Sequence, residues 1–126
     1  MISEIDIKDM WMQEHGKEYD PFGKTSKEPG AKLDAGKIPV LQGLLDYFPR
    51  ACLAVAQVSE AGAKKYAWKG WETVPDGITR YGNAMARHIL TQSISGPIDT
   101  DTGLLHDAQI AWNALAVLEL VLREAE

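Results

Sequence analysis

Hydrophobic positions recur at helical spacing through the last two thirds of the chain. Leu41, Leu44, Leu45 and Phe48 form one apolar stripe at intervals of three and four residues, which predicts a short helix. Pro49 follows at once, and proline is best tolerated in the first turn of a helix. The pattern therefore predicts two short helices with a break between them rather than one long helix.

The helix that begins at Pro49 is predicted to run to about Ala61. Its inner side is expected to carry four apolar residues, namely Leu53, Val55, Ala56 and Val58. Gly62 supplies the expected C-terminal stop, because glycine readily adopts the backbone conformation that ends a helix.

Two longer amphipathic segments follow. The first spans roughly Gly77 to Ser95 and ends in a Ser-Gly-Pro stop; Ile78, Tyr81, Met85, His88 and Ile89 lie on one side. The second begins near Thr102 and continues to the C-terminus, with an Ala-rich middle that is apolar almost all round, AQIAWNALAVLELVL. Such a segment is expected to be a central helix buried on more than one side, partly by a second subunit.

The remaining segments are loops of different kinds. Residues 64–75 are aromatic and broken by Gly70, which predicts an ordered connection. Residues 1–37 are polar and contain Pro21, Gly23, Pro29 and Gly30, which predicts an extended arm with one short helix around Ile5–Gln13. The expected architecture is an all-α bundle of three to four helices over residues 38–126, with an N-terminal arm over residues 1–37, completed by homo-oligomerisation.

Composition and charge narrow the classes of function. The chain has 126 residues, a net charge of -5 and one cysteine, which excludes an internal disulfide framework and argues against general nucleic-acid binding. It lacks a signal-peptide pattern and any long apolar run, so a cytoplasmic protein without membrane contact is expected. The basic residues concentrate between Lys64 and His88, and acidic residues dominate from Asp99 onward. This asymmetry suits a site for phosphate and metal, or two mutually attractive helix faces.

Three residues suggest metal chemistry. His88 on one helix and the His106-Asp107 pair near the start of another have the arrangement that HD-type phosphohydrolases use to hold a divalent metal. The alternative is that both histidines donate hydrogen bonds inside the bundle. Asp107 is the candidate carboxylate of this catalytic set.

The segment Asp99-Thr-Asp-Thr-Gly103 has two interpretations. Asp99, Asp101 or Thr102 can cap the last helix, which begins nearby. The same loop can instead contact Mg²⁺ or substrate, with Asp99 and His106 as metal ligands.

Cationic and aromatic residues indicate a nucleotide as the small-molecule partner. Four cations can hold phosphates: Lys64, Lys65, Arg80 and Arg87. Tyr66, Trp68 and Trp71 can stack on a base. Asn113, a polar residue in an apolar helical run, is either a core hydrogen-bonding group or a base-contacting group.

Taken in order, four segments resemble a phage family described as the dATP/dGTP diphosphohydrolase N-terminal domain. They are EPGAKLDAGK (28–37), GAKKY with KGW (62–71), RYGNAMARHIL (80–90) and DTDTGLLHDAQIAWNALAVLEL (99–120). The resemblance implies a small helical protein that hydrolyses deoxypurine nucleotides to monophosphate and pyrophosphate with a divalent metal, Mg²⁺ or Mn²⁺. It also implies substrate contacts for Lys32, Asp34, Lys37, Lys65, Tyr66, Trp71, Arg80, Tyr81, Arg87 and Asn113.

Three hypotheses of function follow. The first is a metal-dependent hydrolase of purine deoxynucleoside triphosphates, in which Asp99 and His106, with His88 and Asp107, hold the metal. The second is a phage protein that binds and sequesters a nucleotide without cleaving it. The third is a structural oligomeric module whose charged residues join subunits.

Overall fold

The computed structural model describes residues 18–125 and contains, within that range, three α-helices and two short helical turns. The helices are α1 (Pro49–Lys65), α2 (Gly77–Ser95) and α3 (His106–Glu124); a π-helical turn spans Leu41–Leu45 and a 3₁₀ turn spans Gly70–Thr73. The predicted all-α fold is confirmed: the part of the chain described has no strand, only an isolated bridge between Ile98 and Leu105. The helix predicted around Ile5–Gln13 lies outside the described residues.

Helices α2 and α3 form an antiparallel pair that is the centre of the fold. From one end to the other, the contacts pair Gln92 with Asp107, His88 with His106, Tyr81 with Trp112, and Gly77 with Leu120. A Cβ atom at Gly77 would lie 2.9 Å from Leu120 Cδ1, so glycine permits the close approach at this end. The predicted bounds of α2 agree with the structure.

Helix α3 is the central helix, because both α1 and α2 pack against it. Ala108 and Ala116 are its buried apolar residues, and their small side chains let the neighbouring helices approach closely. Leu115 and Leu118 remain about half exposed, so the all-round burial expected for this helix is not reached within one chain.

Two expectations for α1 are wrong. Helix α1 continues through Gly62 to Lys65, where the sequence pattern predicted a stop. A glycine inside a helix costs only about 1 kcal/mol, and the last turn gains from Lys64 and Lys65 beside the negative end of the helix dipole. Leu53 was expected on the inner side but is 71% exposed, and Ala56 is exposed as well, so the packed side is that of Val55 and Val58.

The start of α3 also differs from the prediction. The helix begins at His106 rather than near Thr102, because the preceding residues close a separate loop. The Asp99 N–H donates to the Leu104 carbonyl (2.8 Å), and the Gly103 N–H donates to the Asp99 carbonyl (2.7 Å). Gly103 has a φ of 73°, which glycine adopts without strain.

The capping role predicted for this loop is therefore wrong. Leu105 occupies the N-cap position of α3, and no side chain caps the helix. Asp99 Oδ1 instead accepts a hydrogen bond from the Asp101 N–H (3.0 Å), and Thr102 Oγ1 accepts one from the Leu104 N–H (3.2 Å). These side chains brace the loop itself.

One buried carboxylate organises the described part of the N-terminal arm. Asp20 accepts hydrogen bonds from the backbone N–H groups of Lys32 (2.8 Å) and Phe22 (2.7 Å). The bond from Lys32 has the largest effect, and together these bonds hold the pKa of Asp20 below its ordinary value. Burial acts in the opposite direction. Residues 18–37 thus form a loop folded on itself, and the domain boundary at residue 37 stays a prediction.

Among the described residues, the segment before α1 and the start of α1 carry a large exposed apolar surface. Eight large hydrophobic residues between Ile38 and Leu53 are at least 47% exposed: Ile38, Val40, Leu41, Leu44, Leu45, Tyr47, Phe48 and Leu53. Homo-oligomerisation stays a prediction. None of the helices within residues 18–125 combines the length and apolar character needed to cross a membrane.

Candidate functional site

Three metal-ligating side chains converge where α2, the loop before α3 and the start of α3 meet. One potential ligand atom from each of His88, Asp99 and His106 lies within 4.8 Å of the other two. His88 Nδ1 and His106 Nδ1 are 2.9 Å apart, so one nitrogen carries the proton and the other accepts it. The sequence predicted all three residues as site residues, and the fold brings them together.

The position of each ligand follows from local structure. His88 lies on the side of α2 that faces α3, two helical turns after Tyr81. His106 is the first residue of α3 and is only 2% exposed. Its backbone N–H donates to the Pro97 carbonyl (2.9 Å). Asp99 begins the closed loop between them. The loop is therefore the element that carries a carboxylate to the two imidazoles.

His88 is tuned toward its neutral form. Burial lowers the pKa of His88 below its ordinary value of 6.5, because the charged imidazolium is poorly solvated there. His106 and Arg87 act in the same direction, and Asp99 partly opposes them. A neutral imidazole keeps the lone pair that a metal ion requires.

Asp99 is tuned toward its charged form. Burial alone would raise the pKa of Asp99, but hydrogen bonds from the Asp101 backbone and the Gln109 side chain, with the two histidines, outweigh it. The net result is a pKa below the ordinary value of 3.8. A carboxylate is thus present over the whole neutral range.

These three groups fit a divalent transition metal. Two ligand nitrogens about 2.1 Å from one ion and at right angles to each other are about 3 Å apart, close to the spacing of the imidazoles. Two imidazoles with one carboxylate are a donor set that transition metals favour. The three residues could therefore hold such an ion.

Gln109 and Thr102 support the carboxylate. Gln109 is buried, lies one turn after His106, and its side chain helps to lower the pKa of Asp99. Its Nε2 also donates to Thr102 Oγ1 (3.3 Å). The sequence pattern predicted no role for Gln109, although its spacing of three residues from His106 puts both on one helix face.

Asp107, the carboxylate expected from the His-Asp pattern, points elsewhere. Its Oδ1 accepts a hydrogen bond from Gln92 Nε2 (2.7 Å), and it is not among the three clustered ligands. The carboxylate beside the histidines is instead that of Asp99. A catalytic role for Asp107 stays a prediction.

The predicted phosphate-binding cations are spread over the surface. Arg87 is close enough to His88 to affect its pKa, and Lys64 lies 3.8 Å from Glu60 in a cleft beside the Asp99 loop. Lys65 Nζ lies 5.3 Å from the centre of the exposed Tyr66 ring. Arg80 Nη1 donates to the Pro75 carbonyl (3.1 Å).

The predicted base-stacking residue Trp71 belongs to an aromatic cluster with Tyr81 and Trp112. The three rings make mutual edge-to-face contacts, with centres between 5.5 and 6.2 Å apart. The Tyr81 hydroxyl donates to the Trp71 carbonyl (2.9 Å), and the Arg123 guanidinium lies 5.4 Å from the centre of the Trp71 ring. Stacking of Trp71 on a base stays a prediction.

The remaining predicted residues have local partners. Asn113 is buried and donates to the Gln109 carbonyl one turn earlier (2.8 Å). In the arm, the Lys32 N–H donates to Asp20, Lys37 pairs with Glu18 (3.3 Å), and the Asp34 N–H donates to the Lys32 carbonyl (3.0 Å). Their contact with substrate stays a prediction.

Comparison with known proteins agrees with the resemblance seen in the sequence. A dATP/dGTP diphosphohydrolase of Salmonella phage PMBT28 is 35% identical over 92 residues, which are 73% of this chain. The matched stretch is only 30% of that relative's length. No solved structure gives a significant match. The family model described as dATP/dGTP diphosphohydrolase, N-terminal, matches residues 27–126, which include the whole His88, Asp99 and His106 cluster. The chain therefore belongs to the dATP/dGTP diphosphohydrolase N-terminal family.

Proposed function

We propose that this chain takes part in the metal-dependent hydrolysis of purine deoxynucleoside triphosphates. The observation that carries the proposal is the convergence of His88, Asp99 and His106 within 4.8 Å in a member of this family. The related phage protein is named for dATP and dGTP diphosphohydrolysis, which supports the substrate class. The reaction adds water to the α-phosphorus, breaks the bond to the bridging oxygen of the β-phosphate, and releases a monophosphate and pyrophosphate.

The metal is proposed to be Mn²⁺ in preference to Mg²⁺. Mg²⁺ favours sites made of oxygen ligands, whereas two of the three groups here are imidazoles. A divalent ion in this position would supply Lewis acidity toward a phosphate oxygen or a water molecule. The chain would contribute a neutral His88 and an ionised Asp99, and binding through both Nδ1 atoms would require the proton between the two rings to leave that position.

The phosphate groups are proposed to be held by cations near the cluster. Arg87 adjoins His88 in α2, and its fork of donors suits a phosphate. Lys65 and Arg80 are further candidates, and both are exposed. The metal ion would neutralise part of the negative charge of the triphosphate. These cations would then need to contact only the phosphate oxygens that the metal does not bind.

A second candidate is nucleotide binding without turnover. It is favoured by the description of the matched family as an N-terminal segment and by the 30% share of the relative that is matched. In that case the same cluster would bind the metal form of a nucleotide and leave it intact. Ligand binding alone would then raise the stability of the folded chain.

The test is incubation of the protein with each of the four deoxynucleoside triphosphates and Mn²⁺ or Mg²⁺, with separation of the products. We expect monophosphate and pyrophosphate from dATP and dGTP. His106→Ala should lower the rate by more than about 100-fold, since loss of even an outer partner of a metal ligand typically costs 10- to 100-fold. Asp101→Asn, in the same loop, is the matched control and should retain activity.

The outcomes separate the candidates. Nucleotide consumption that is equal in the unaltered protein and in His106→Ala would contradict the proposal. A rise in melting temperature with nucleotide and Mn²⁺, without any product, would favour binding without turnover.

A further inference from the structure

A cleft lies between α1 and the loop that carries Asp99. It has a volume of about 360 Å³ and is lined by Gln57, Glu60, Ala61, Lys64, Thr102 and Leu104. This volume is within the range of small-molecule sites in proteins.

The cleft adjoins the His88, Asp99 and His106 cluster through the loop that carries Asp99. Thr102 lines the cleft, and its hydroxyl accepts a hydrogen bond from Gln109, whose side chain also lowers the pKa of Asp99. Thr102 and Asp99 belong to one short closed loop. A ligand with its phosphates at the cluster would therefore have its other end within reach of the cleft.

The lining offers what a planar heterocycle needs. Ala61 and Leu104 provide apolar surface from opposite elements, α1 and the loop. Gln57, Glu60 and Lys64 follow at intervals of three and four residues, so they share one face of α1. The Lys64 ammonium and a Glu60 carboxylate oxygen are 3.8 Å apart, which sets a donor beside an acceptor.

We infer that this cleft binds the purine base and that the Glu60 and Lys64 pair favours guanine. The inference rests on the proposed function, which supplies the nucleotide. Lys64 would donate to guanine O6, and Glu60 would accept from the adjacent N1–H and from the 2-amino group. Adenine has no 2-amino group, so it offers the carboxylate only its 6-amino group. Guanine thus makes one more hydrogen bond to a charged group.

The second cleft of the described chain is a poorer site for a base. It also measures about 360 Å³ and lies beside Trp71 and Trp112. Its one charged lining residue is Glu119, which already binds Arg123 at 2.7 Å. The tryptophan rings are engaged with each other and with Tyr81. That cleft lacks a pair of oppositely charged side chains such as Glu60 and Lys64.

The test compares the binding of dGTP, dITP and dATP in their α,β-methylene forms, whose α–β bridge resists hydrolysis. The base of dITP is hypoxanthine, which is guanine without the 2-amino group. The dissociation constants are measured by calorimetry with Mn²⁺. We expect a value about tenfold lower for the dGTP analogue than for the dITP analogue, because the dITP analogue lacks one hydrogen bond to a charged group. Glu60→Gln should bring this ratio close to one, while Glu124→Gln, an exposed carboxylate far along α3, should leave it unchanged.

Several results would overturn the inference. One is equal binding of the dGTP and dITP analogues by the unaltered protein. Another is a ratio of their dissociation constants that Glu60→Gln leaves unchanged, and a third is a ratio that Trp71→Leu changes instead. If discrimination depends on Glu60 but no triphosphate is hydrolysed, the base site stands and the proposed hydrolysis fails. If dGTP is hydrolysed but Glu60→Gln does not change the ratio of the dissociation constants, the proposed hydrolysis stands and the base site fails. Absence of binding by every analogue would overturn both.

Discussion

The α2 and α3 pair holds two different side-chain clusters, one around Tyr81 and one around His88. Tyr81 and His88 lie on the same side of α2, two turns or about 10 Å apart. At the Tyr81 end, two polar groups of the aromatic cluster have partners inside the chain: the Tyr81 hydroxyl donates to the Trp71 carbonyl, and Trp112 Nε1 donates to Ser59 Oγ (2.9 Å). At the His88 end, two imidazoles share one proton and face a carboxylate. At the Tyr81 end these groups are hydrogen bonded within the chain, whereas the His88 end has groups that can bind an ion.

The largest expected effect is on the aromatic end. Trp112→Ala should lower the free energy of unfolding by about 3 kcal/mol, because it removes the ring that joins Tyr81, Trp71 and α1. Urea denaturation measures this change. The Mn²⁺ affinity of the folded fraction should be unaltered.

Trp68→Ala is the matched control for that substitution. Trp68 is 70% exposed, so its removal should change the free energy of unfolding by less than about 0.5 kcal/mol. If Trp112→Ala weakened Mn²⁺ binding as strongly as it lowered stability, the two ends would be one functional unit and the comparison would fail.

A smaller effect is expected from the support of Asp99. Gln109→Ala removes the side chain that helps to keep Asp99 ionised and that bonds Thr102 in the same loop, so Mn²⁺ binding should weaken by about tenfold while His88 and His106 remain. Isothermal calorimetry measures the affinity. Gln92→Ala is the matched control, since Gln92 bonds Asp107 outside the cluster. Equal weakening in both variants would bring Asp107 into the site.

The smallest effect is expected from pH. The pKa of His88 is lowered in the folded chain, so between that value and 6.5 the unfolded chain binds more protons than the folded one. The free energy of unfolding without metal should therefore fall as the pH is lowered below 6.5. Asp99 contributes no change in this window, because its pKa is lowered from 3.8 and it stays ionised.

Urea denaturation at pH 7.5 and 5.5 in the presence of a chelator measures this dependence. His88→Gln should make the stability less sensitive to pH over this range. An unchanged sensitivity in His88→Gln would mean that another group titrates there and that His88 is not held neutral by its surroundings.

The fold was most predictable where the sequence repeats its pattern over several turns. Helix α2 has the predicted bounds because a long amphipathic segment is followed by Ser95-Gly96-Pro97, which stops a helix by local geometry. The end of α1 and the start of α3 were predicted less well. Both depend on competition between local signals and backbone bonds made elsewhere, as when the Asp99 to Leu104 pairing excludes those residues from α3.

The site was predictable as a set of residue types and less so as a geometry. His88, Asp99 and His106 were all named from the sequence, and they do meet. The sequence also suggested Asp107 as a partner because it adjoins His106. Successive residues of a helix point about 100° apart, so Asp107 turns toward Gln92 while His106 turns toward His88.

By itself, the sequence determined the helical class, the extent of α2 and the residues able to bind a metal, since these follow from periodicity, local stop signals and side-chain chemistry. The tertiary structure decided which carboxylate joins the histidines, and it gave Gln109 a role. It also left Lys64, alone among the predicted cations, lining the cleft beside the Asp99 loop. Those outcomes depend on the antiparallel register of α2 and α3 and on the closure of the loop between them. Such long-range contacts leave no periodic trace in the chain.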